Sequence, residues 1–292
     1  MAPHPDRTQA LFEKLQRFVH VPSSPKPETV HRLRTTIRRV ETLMTTVRPA
    51  SPEHRGKKLM KQLDRIRRRA GKVRDVDVQI TALDSLQLES ITRDKARVKR
   101  FLQKARIKRE QKLLTTCRDE LQNGLQRRIK RAATRLQETP SSDRTQPELR
   151  ADRFLHSALE RFAALVTEYP VLNESNLHEF RMACKRVRYL AEMAGEVPDG
   201  IAVIAELKRI QDSVGEWHDW LTLTDTAEGL LPRPGQSPLL AALRASTRSK
   251  YLEALRTTAD AKRNLLDMLG KKREPRSVTS EATRQDTRAA SA

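Results

Sequence analysis

The apolar residues of one segment near the start of the chain recur at helical spacing. Between Val30 and Val47 they stand three, four, three, four and three positions apart. An α-helix has 3.6 residues per turn, so this spacing places them on one stripe of its surface. Apart from Leu43, polar side chains fill the other positions. We therefore expect a helix here that buries one face against other elements.

Most of the chain favours the same secondary structure. Its 292 residues include nine glycines and 4% aromatic residues, and Ala, Leu, Arg, Lys, Glu and Gln dominate. These six are good helix formers, so we expect an all-α fold. Gly71 and Gly215 are each expected to interrupt a helix. The predicted helices are 7–19, 28–48, 52–70, 72–88, 91–137, 149–169, 175–194, 199–214, 216–229 and 237–269.

Two polar segments set the domain organisation. Residues 138–148 contain two prolines and two serines, which is typical of a linker. The predicted domain, 1–269, would then have a first half at about 7–137 and a second at about 149–269. Residues 270–292 have almost no apolar content, so we expect a disordered basic tail.

The charge of the chain points to a polyanionic partner. It carries 58 Lys and Arg against 37 Asp and Glu, a net charge of +21. Such a chain repels itself unless a polyanion binds it, and nucleic acid, an anionic membrane surface and inorganic polyphosphate are candidates. Only two cysteines are present, no apolar run approaches the ~20 residues of a membrane span, and the N-terminus lacks the apolar core of a signal peptide. We expect a cytoplasmic protein without a membrane span.

A basic motif occurs twice. The stretch VHRLRTTIRRVETLM, 30–44, recurs in outline as LHEFRMACKRVRYLA, 177–191. Its basic residues follow the apolar stripe by one position, or roughly 100° around a helix, so they border the core. The exception is Glu41, which stands where the second copy has Arg188. The matching pairs are His31 with His178, Arg34 with Arg181, and Arg38 with Lys185.

A second pair of segments supports an internal duplication. RIRRRAGKVRDVDV, 65–78, aligns with RIQDSVGEWHDWLT, 209–222, at an offset of 144 residues, close to the 147 of the first pair. Two elements repeated in the same order indicate a duplicated helical unit. The first copy also presents a basic helix face. The aligned pairs are Gly71 with Gly215, Arg74 with His218, and Asp75 with Asp219, and the basic face consists of Lys58, Lys61, Arg65, Arg68 and Lys72.

These motifs resemble the CHAD family, the conserved-histidine α-helical domain. The resemblance is carried by VHRLRTTIRRV, AGKVRDVDV, LHEFRMACKRVRYLAE and LKRIQDSVGEWHD, and it spans roughly Arg7 to Leu269. It implies two similar antiparallel helical-bundle halves around a basic cavity or groove that binds inorganic polyphosphate. The sequence has no room for the triphosphate-tunnel hydrolase domain of the CYTH type that many relatives carry. We therefore expect a non-catalytic binding, targeting or scaffolding module without cofactor or metal.

The resemblance also implies which residues bind polyphosphate. A flexible chain of phosphates needs many cationic donors, and Arg contacts phosphate oxygens at two points while Lys supplies compact charge. Arg65 and Arg68 are added from the basic helix face. The residues carried over are His31, Arg34, Arg38, Arg39, Arg74, His178, Arg181, Lys185, Arg186, Arg188, Tyr189, Lys208 and His218.

Two alternative functions are left open. A nucleic-acid-binding protein would suit the basic segment 93–109, although the chain has few aromatic residues and no helix-turn-helix, zinc-finger or RNA-recognition signature. A metal-dependent phosphohydrolase would use His178, His218, Asp219 and Asp260, but neighbouring Arg and Lys oppose a divalent cation. For the polyphosphate-binding module, the expected roles are storage of polyphosphate, recruitment of the protein to polyphosphate granules or scaffolding of a partner enzyme.

Overall fold

The computed structural model describes residues 5–47, 54–87, 93–138, 147–192, 194 and 197–273. These residues form nine α-helices and no strand, which confirms the all-α prediction. The helices are α1 Pro5–Phe18, α2 Pro27–Val47, α3 His54–Ser85, α4 Arg93–Gln122, α5 Leu125–Glu138, α6 Pro147–Glu168, α7 Leu177–Glu192, α8 Pro198–Leu230 and α9 Pro238–Arg273, with a short 3-10 helix at Pro234–Gln236.

Two predicted helix breaks are wrong. Helix α3 continues through Gly71 and helix α8 through Gly215. Glycine inside a helix costs roughly 1 kcal/mol relative to alanine. Buried neighbours such as Ala70, Val73 and Trp217 hold both helices against the core. Tertiary packing therefore overrides the local preference of the two glycines.

The long basic helix predicted over 91–137 is divided at Gly124. The φ angle of Gly124 is 77°, in the left-handed region that glycine occupies without steric cost. Helix α4 ends at Gln122, and α5 begins at Leu125. Three glycines inside helical patterns thus look alike in sequence, and only Gly124 separates two helices.

The predicted linker and tail lie largely outside the described residues. Within the linker 138–148, residues 139–146 are outside them. Helix α9 runs to Arg273 and so includes the first residues of the predicted tail 270–292. Residues 274–292 of that tail are not described.

Each half has its own apolar core. Helices α1–α5 surround a cluster that includes Phe12 and Leu63, and α6–α9 surround one that includes Phe162 and Trp217. The order of packing is the same in both: α1 on α2, α2 on α3 and α3 on α4, then α6 on α7, α7 on α8 and α8 on α9. The internal duplication itself stays a prediction.

A third apolar cluster joins the two halves. It combines Val76 and Leu83 of α3 and Leu102 of α4 with Trp220 and Leu223 of α8, and α3 contacts α8 directly. On both α3 and α8, these residues follow the mid-helix glycine. The segments around the two glycines are thereby held close to the boundary between the halves.

Candidate anion-binding site

Each half places an arginine over a helical glycine. In the first half, Nε of Arg34 on α2 lies 3.7 Å from the position that a Cβ atom would take at Gly71. In the second half, Nη2 of Arg181 on α7 lies 2.8 Å from the corresponding position at Gly215. A Cβ atom at Gly215 would collide with this guanidinium. The absence of a side chain on Gly215 therefore lets Arg181 lie directly on α8.

An aspartate accompanies each of these arginines. Nε of Arg181 donates a hydrogen bond of 2.9 Å to the carbonyl oxygen of Gln211. Burial raises the pKa of Asp75, although the positive charge of Arg34 acts to lower it. Burial also raises the pKa of Asp219 to about 6. The charge of Arg181 acts to lower this pKa, and the charge of Asp75 raises it further. The two carboxylates thus come from different halves but lie close enough to repel each other.

Five basic side chains of α2 and α7 form what we call the cationic cluster: Arg34, Arg38, Arg181, Lys185 and Arg188. All five are partly buried. The pKa of Lys185 is lowered to about 7, first by burial and then by the charges of the four arginines. Burial also lowers the pKa of Arg34, Arg38 and Arg181. Since Arg38 and Lys185 repel each other across the boundary, the cluster spans both halves.

Buried donors next to the cluster lack acceptors within the described part of the chain. They are Nε of Arg188 and Nε2 of Gln211. The Glu192 carboxylate lies 3.6 Å from Arg188 Nε, too far for a hydrogen bond. Nδ1 of His178 is also buried without a partner. A buried donor without an acceptor costs roughly 1–3 kcal/mol, so this site favours a ligand that brings acceptor oxygens.

The structure explains why Glu41 interrupts the basic pattern of the first motif. Glu41 pairs with Arg67 of α3, with Oε2 and Nε 2.9 Å apart. At the offset of 144 residues, Arg67 corresponds to Gln211. At these aligned positions the first half therefore has its cation on α3, as Arg67, and the second half has its cation on α7, as Arg188. Arg67 was not among the residues predicted from the sequence, although the exchange of charge between these positions was its signal. The pKa of Arg34 is lowered first by burial and further by Arg67.

The histidines of the two motifs have different partners. The rings of His178 and His218 lie against each other, with their centroids 4.4 Å apart and their planes tilted by 34°. Burial lowers the pKa of both, and Arg181 lowers both further. In the first half, desolvation and then Arg74 lower the pKa of His31. All three imidazoles are therefore uncharged near neutral pH in the free protein.

The remaining predicted residues lie at the edge of the cluster or away from it. The ring centre of Tyr189 is 5.4 Å from the guanidinium carbon of Arg188. Arg65 pairs with Glu120 of α4 at 2.8 Å, and Arg68 pairs with Asp64 at 2.7 Å. Neither belongs to the cationic cluster. The exposed residues that also fall outside it are Arg39, Arg186 and Lys208.

The residues of the metal-site alternative do not form a ligand group. Asp260 pairs with Arg263 of its own helix at 2.8 Å. In the described ranges, no group of three or more His, Cys, Asp or Glu could hold a metal ion. Across the same ranges, no helix has both the length and the apolar content needed to cross a membrane.

Comparisons with known proteins agree with this architecture. The model of the CHAD domain family matches residues 8–228. The crystal structure of the CHAD domain from the plant Ricinus communis is similar, with a TM-score of 0.57, 18% identity, and coverage of 91% of this chain and 90% of that one. PptA from Streptomyces chartreusis also has a TM-score of 0.57, with 16% identity and coverage of 89% and 96%. A search of curated proteins found no match.

Proposed function

Because the chain belongs to the CHAD domain family, we propose that it binds inorganic polyphosphate through the cationic cluster of α2 and α7. The observation that supports this most is the partial burial of five cations that repel one another. Such an arrangement is unfavourable in the free protein. A bound polyanion would relieve the repulsion and accept hydrogen bonds from the donors of Arg188 and Gln211.

The residue types of the site suit a phosphate chain better than a nucleotide. Arginine side chains make planar, two-point contacts with phosphate oxygens. Trp217 and Trp220 are packed in the core, so neither offers a face for a nucleobase to stack on. Polyphosphate presents only phosphates, which is the chemistry that the cluster can recognise.

We also propose that binding is not followed by hydrolysis. The cluster offers charge and hydrogen-bond donors, and the rings of His178 and His218 contact each other. Such a module would store polyphosphate, recruit the protein to polyphosphate granules in the cytoplasm or scaffold a partner enzyme. We expect no release of orthophosphate above the blank when the protein is incubated with polyphosphate and Mg²⁺ or Mn²⁺. Steady release that scales with protein concentration would contradict the proposal.

Calorimetric titration with polyphosphates of graded length tests the binding site. We expect the double variant Arg34→Ala, Arg181→Ala to bind about 30-fold more weakly, or about 2 kcal/mol, because charge-assisted hydrogen bonds at a partly dehydrated site are lost. The matched control is Arg161→Ala, Arg256→Ala. Both control arginines are exposed and should matter only through net charge. Equal losses in the two variants would contradict a defined site.

Arg106 is unsuitable as a control, although it lies in the basic segment. It pairs with Asp77 at 2.7 Å and with Glu110, and it donates to the carbonyl oxygen of Pro25 at 2.7 Å. Its removal would damage the fold.

A further comparison uses ATP, which we expect to bind much more weakly than a long polyphosphate because it makes fewer contacts. Equal affinities would indicate a nucleotide site.

A further inference from the structure

The excess positive charge is concentrated in one part of the chain. The segment of α4 and α5, 93–138, contains sixteen Lys and Arg against five Asp and Glu, an excess of eleven out of the net +21. Helices α6–α9, 147–273, contain nineteen against eighteen and are nearly neutral. No residue of the cationic cluster lies in α4 or α5. The polyphosphate site therefore does not account for most of the excess charge.

Two of the four acidic residues of α4, Glu110 and Glu120, face inward. Glu120 accepts a hydrogen bond of 2.7 Å from Gln62 and pairs with Arg65 of α3. Glu110 pairs with Arg106, which also pairs with Asp77 of α3. Both glutamates are buried. The carboxylates of Glu110 and Glu120 are thus used against α3, and from Arg97 to Lys108 the outer face of α4 has no acidic residue.

The outer faces of α4 and α5 combine these cations with apolar side chains. Phe101 and Ile107 are 45% and 56% exposed, among the large apolar residues that the core leaves out. Arg127, Lys130 and Arg131 line an open groove on α5 together with Thr134 and Arg135. We call the exposed residues Arg97, Arg100, Phe101, Lys104, Ile107 and Lys108 of α4, with Arg127, Lys130 and Arg131 of α5, the outer basic face.

The outer basic face is separate from the cationic cluster. Helix α3 lies between the two, because Gln62 and Asp77 contact α4, whereas Arg67 and Gly71 contact α2. In a helix of 3.6 residues per turn the mean directions of these two pairs differ by about 130°. A ligand of one surface therefore does not need to touch the other.

We propose that the outer basic face binds single-stranded nucleic acid. Cations track a phosphate backbone, and an exposed aromatic ring can stack on bases, which is the combination that single-strand-binding surfaces use. Polyphosphate has no group for Phe101 and Ile107 to contact. A membrane-surface helix would need a broad apolar face, whereas on α4 these two apolar side chains stand singly among Arg and Lys.

The test uses a fluorescent single-stranded RNA of about 20 nucleotides, longer than the roughly 4–16 nucleotides that one such site covers. At one salt concentration we expect Arg127→Ala, Arg131→Ala to weaken RNA binding about 10-fold or more, since two phosphate contacts and their counterion release are lost. The same variant should bind short polyphosphate within about 2-fold of the wild type, because the cationic cluster is unchanged. Arg34→Ala, Arg181→Ala should show the reverse pattern.

Phe101→Ala separates base stacking from charge. It leaves the net charge unchanged, and we expect RNA binding to weaken at least about 5-fold, because stacking on an aromatic side chain contributes roughly 1–3 kcal/mol per base. Arg161→Ala, Arg256→Ala is the charge control, and circular dichroism checks folding. The proposal is overturned if RNA binding falls equally in all charge variants. It is also overturned if Arg127→Ala, Arg131→Ala and Phe101→Ala lose binding to phosphatidylserine vesicles but still bind RNA as tightly as the wild type.

Discussion

At the scale of single residues, Gly71 and Gly215 occupy equivalent places but have unequal room. An added Cβ at Gly71 would meet Arg34 at 3.7 Å, an ordinary contact, whereas at Gly215 it would meet Arg181 at 2.8 Å. Alanine also favours a helix over glycine by roughly 1 kcal/mol. We expect Gly71→Ala to raise the melting temperature without loss of polyphosphate affinity. We expect Gly215→Ala to displace the guanidinium from the Gln211 carbonyl and to weaken binding about 10-fold. Equal affinities in both variants would show that the position of Arg181 does not matter.

We expect Lys185 to make polyphosphate binding depend on pH. In the free protein its pKa is lowered to about 7, and a bound polyanion should raise it. Binding near and above neutral pH then takes up a proton, so affinity should fall as pH rises above about 7, by up to about tenfold per pH unit for one proton. Lys185→Arg should flatten this profile. The measurement is titration at several pH values and constant ionic strength, and an unchanged slope in the variant would exclude Lys185 as the titrating group.

Through Lys185, the stability of the free protein should rise with pH, whereas the affinity for polyphosphate should fall. The folded-state pKa of Lys185, about 7, lies below the ordinary value of 10.5, so the unfolded chain binds the proton more tightly. The free energy of unfolding should therefore rise as pH increases from about 7 to about 10.5. Lys185→Met should remove this contribution and stabilise the free protein at pH 7. Denaturant unfolding of both proteins at pH 7 and 9 checks it, and parallel pH dependences would contradict it.

Residue patterns predicted part of the candidate site. Arg34 and Arg181 could be found because they follow an apolar stripe by one position, which places them at the edge of the core. Arg65 was selected instead from the basic face of its helix, and its charge is used by Glu120, a residue 55 positions away. Helical periodicity fixes the face of a helix on which a side chain lies, but it does not fix which element covers that face.

At the scale of elements, the sequence predicted helix type better than helix continuity. The apolar periodicity identified helices in every described part of the chain. The same residue type, glycine, stands inside α3, inside α8 and between α4 and α5. Whether the helix continues depends on contacts with other helices, such as Arg181 on Gly215, and these contacts are not visible in local sequence.

The apolar cluster between α3 and α8 should control the geometry of the site. Leu223 of α8 is fully buried in this cluster, and Leu159 of α6 is buried in the core of the second half. Leu→Ala at either position should cost about 2–5 kcal/mol of stability. We expect only Leu223→Ala to weaken polyphosphate binding by the folded protein, because it loosens the contact that holds the two halves together. Titration below the melting temperature of both variants tests this, and equal affinities would contradict it.

At the scale of the whole molecule, the net charge of +21 divides into parts with different consequences. Surface cations contribute a salt-dependent attraction to any polyanion. The cationic cluster adds charges that are partly buried and screened less by salt. The logarithm of the polyphosphate binding constant should therefore fall linearly with the logarithm of salt concentration. If the cluster adds mainly short-range contacts, two double variants should have nearly the same slope but different affinities. They are Arg34→Ala, Arg181→Ala and Arg161→Ala, Arg256→Ala. If the two double variants differed in slope but had equal affinities at high salt, both pairs of arginines would contribute only diffuse electrostatic attraction.

The repulsion within the cationic cluster links ligand binding to the stability of the whole chain. A ligand that binds only the folded state adds about 2.7 kcal/mol at a concentration of 100 times Kd. Because each kcal/mol corresponds to about 2–4 °C in chains of 150–250 residues, we expect polyphosphate to raise the melting temperature by at least about 5 °C. Orthophosphate at the same total phosphate and ionic strength should raise it much less, since it cannot bridge α2 and α7. The shift should disappear in Arg34→Ala, Arg181→Ala and persist in Arg161→Ala, Arg256→Ala. If orthophosphate stabilised the wild type as much as the polymer, screening alone would explain the effect and no site spanning the two halves would be required.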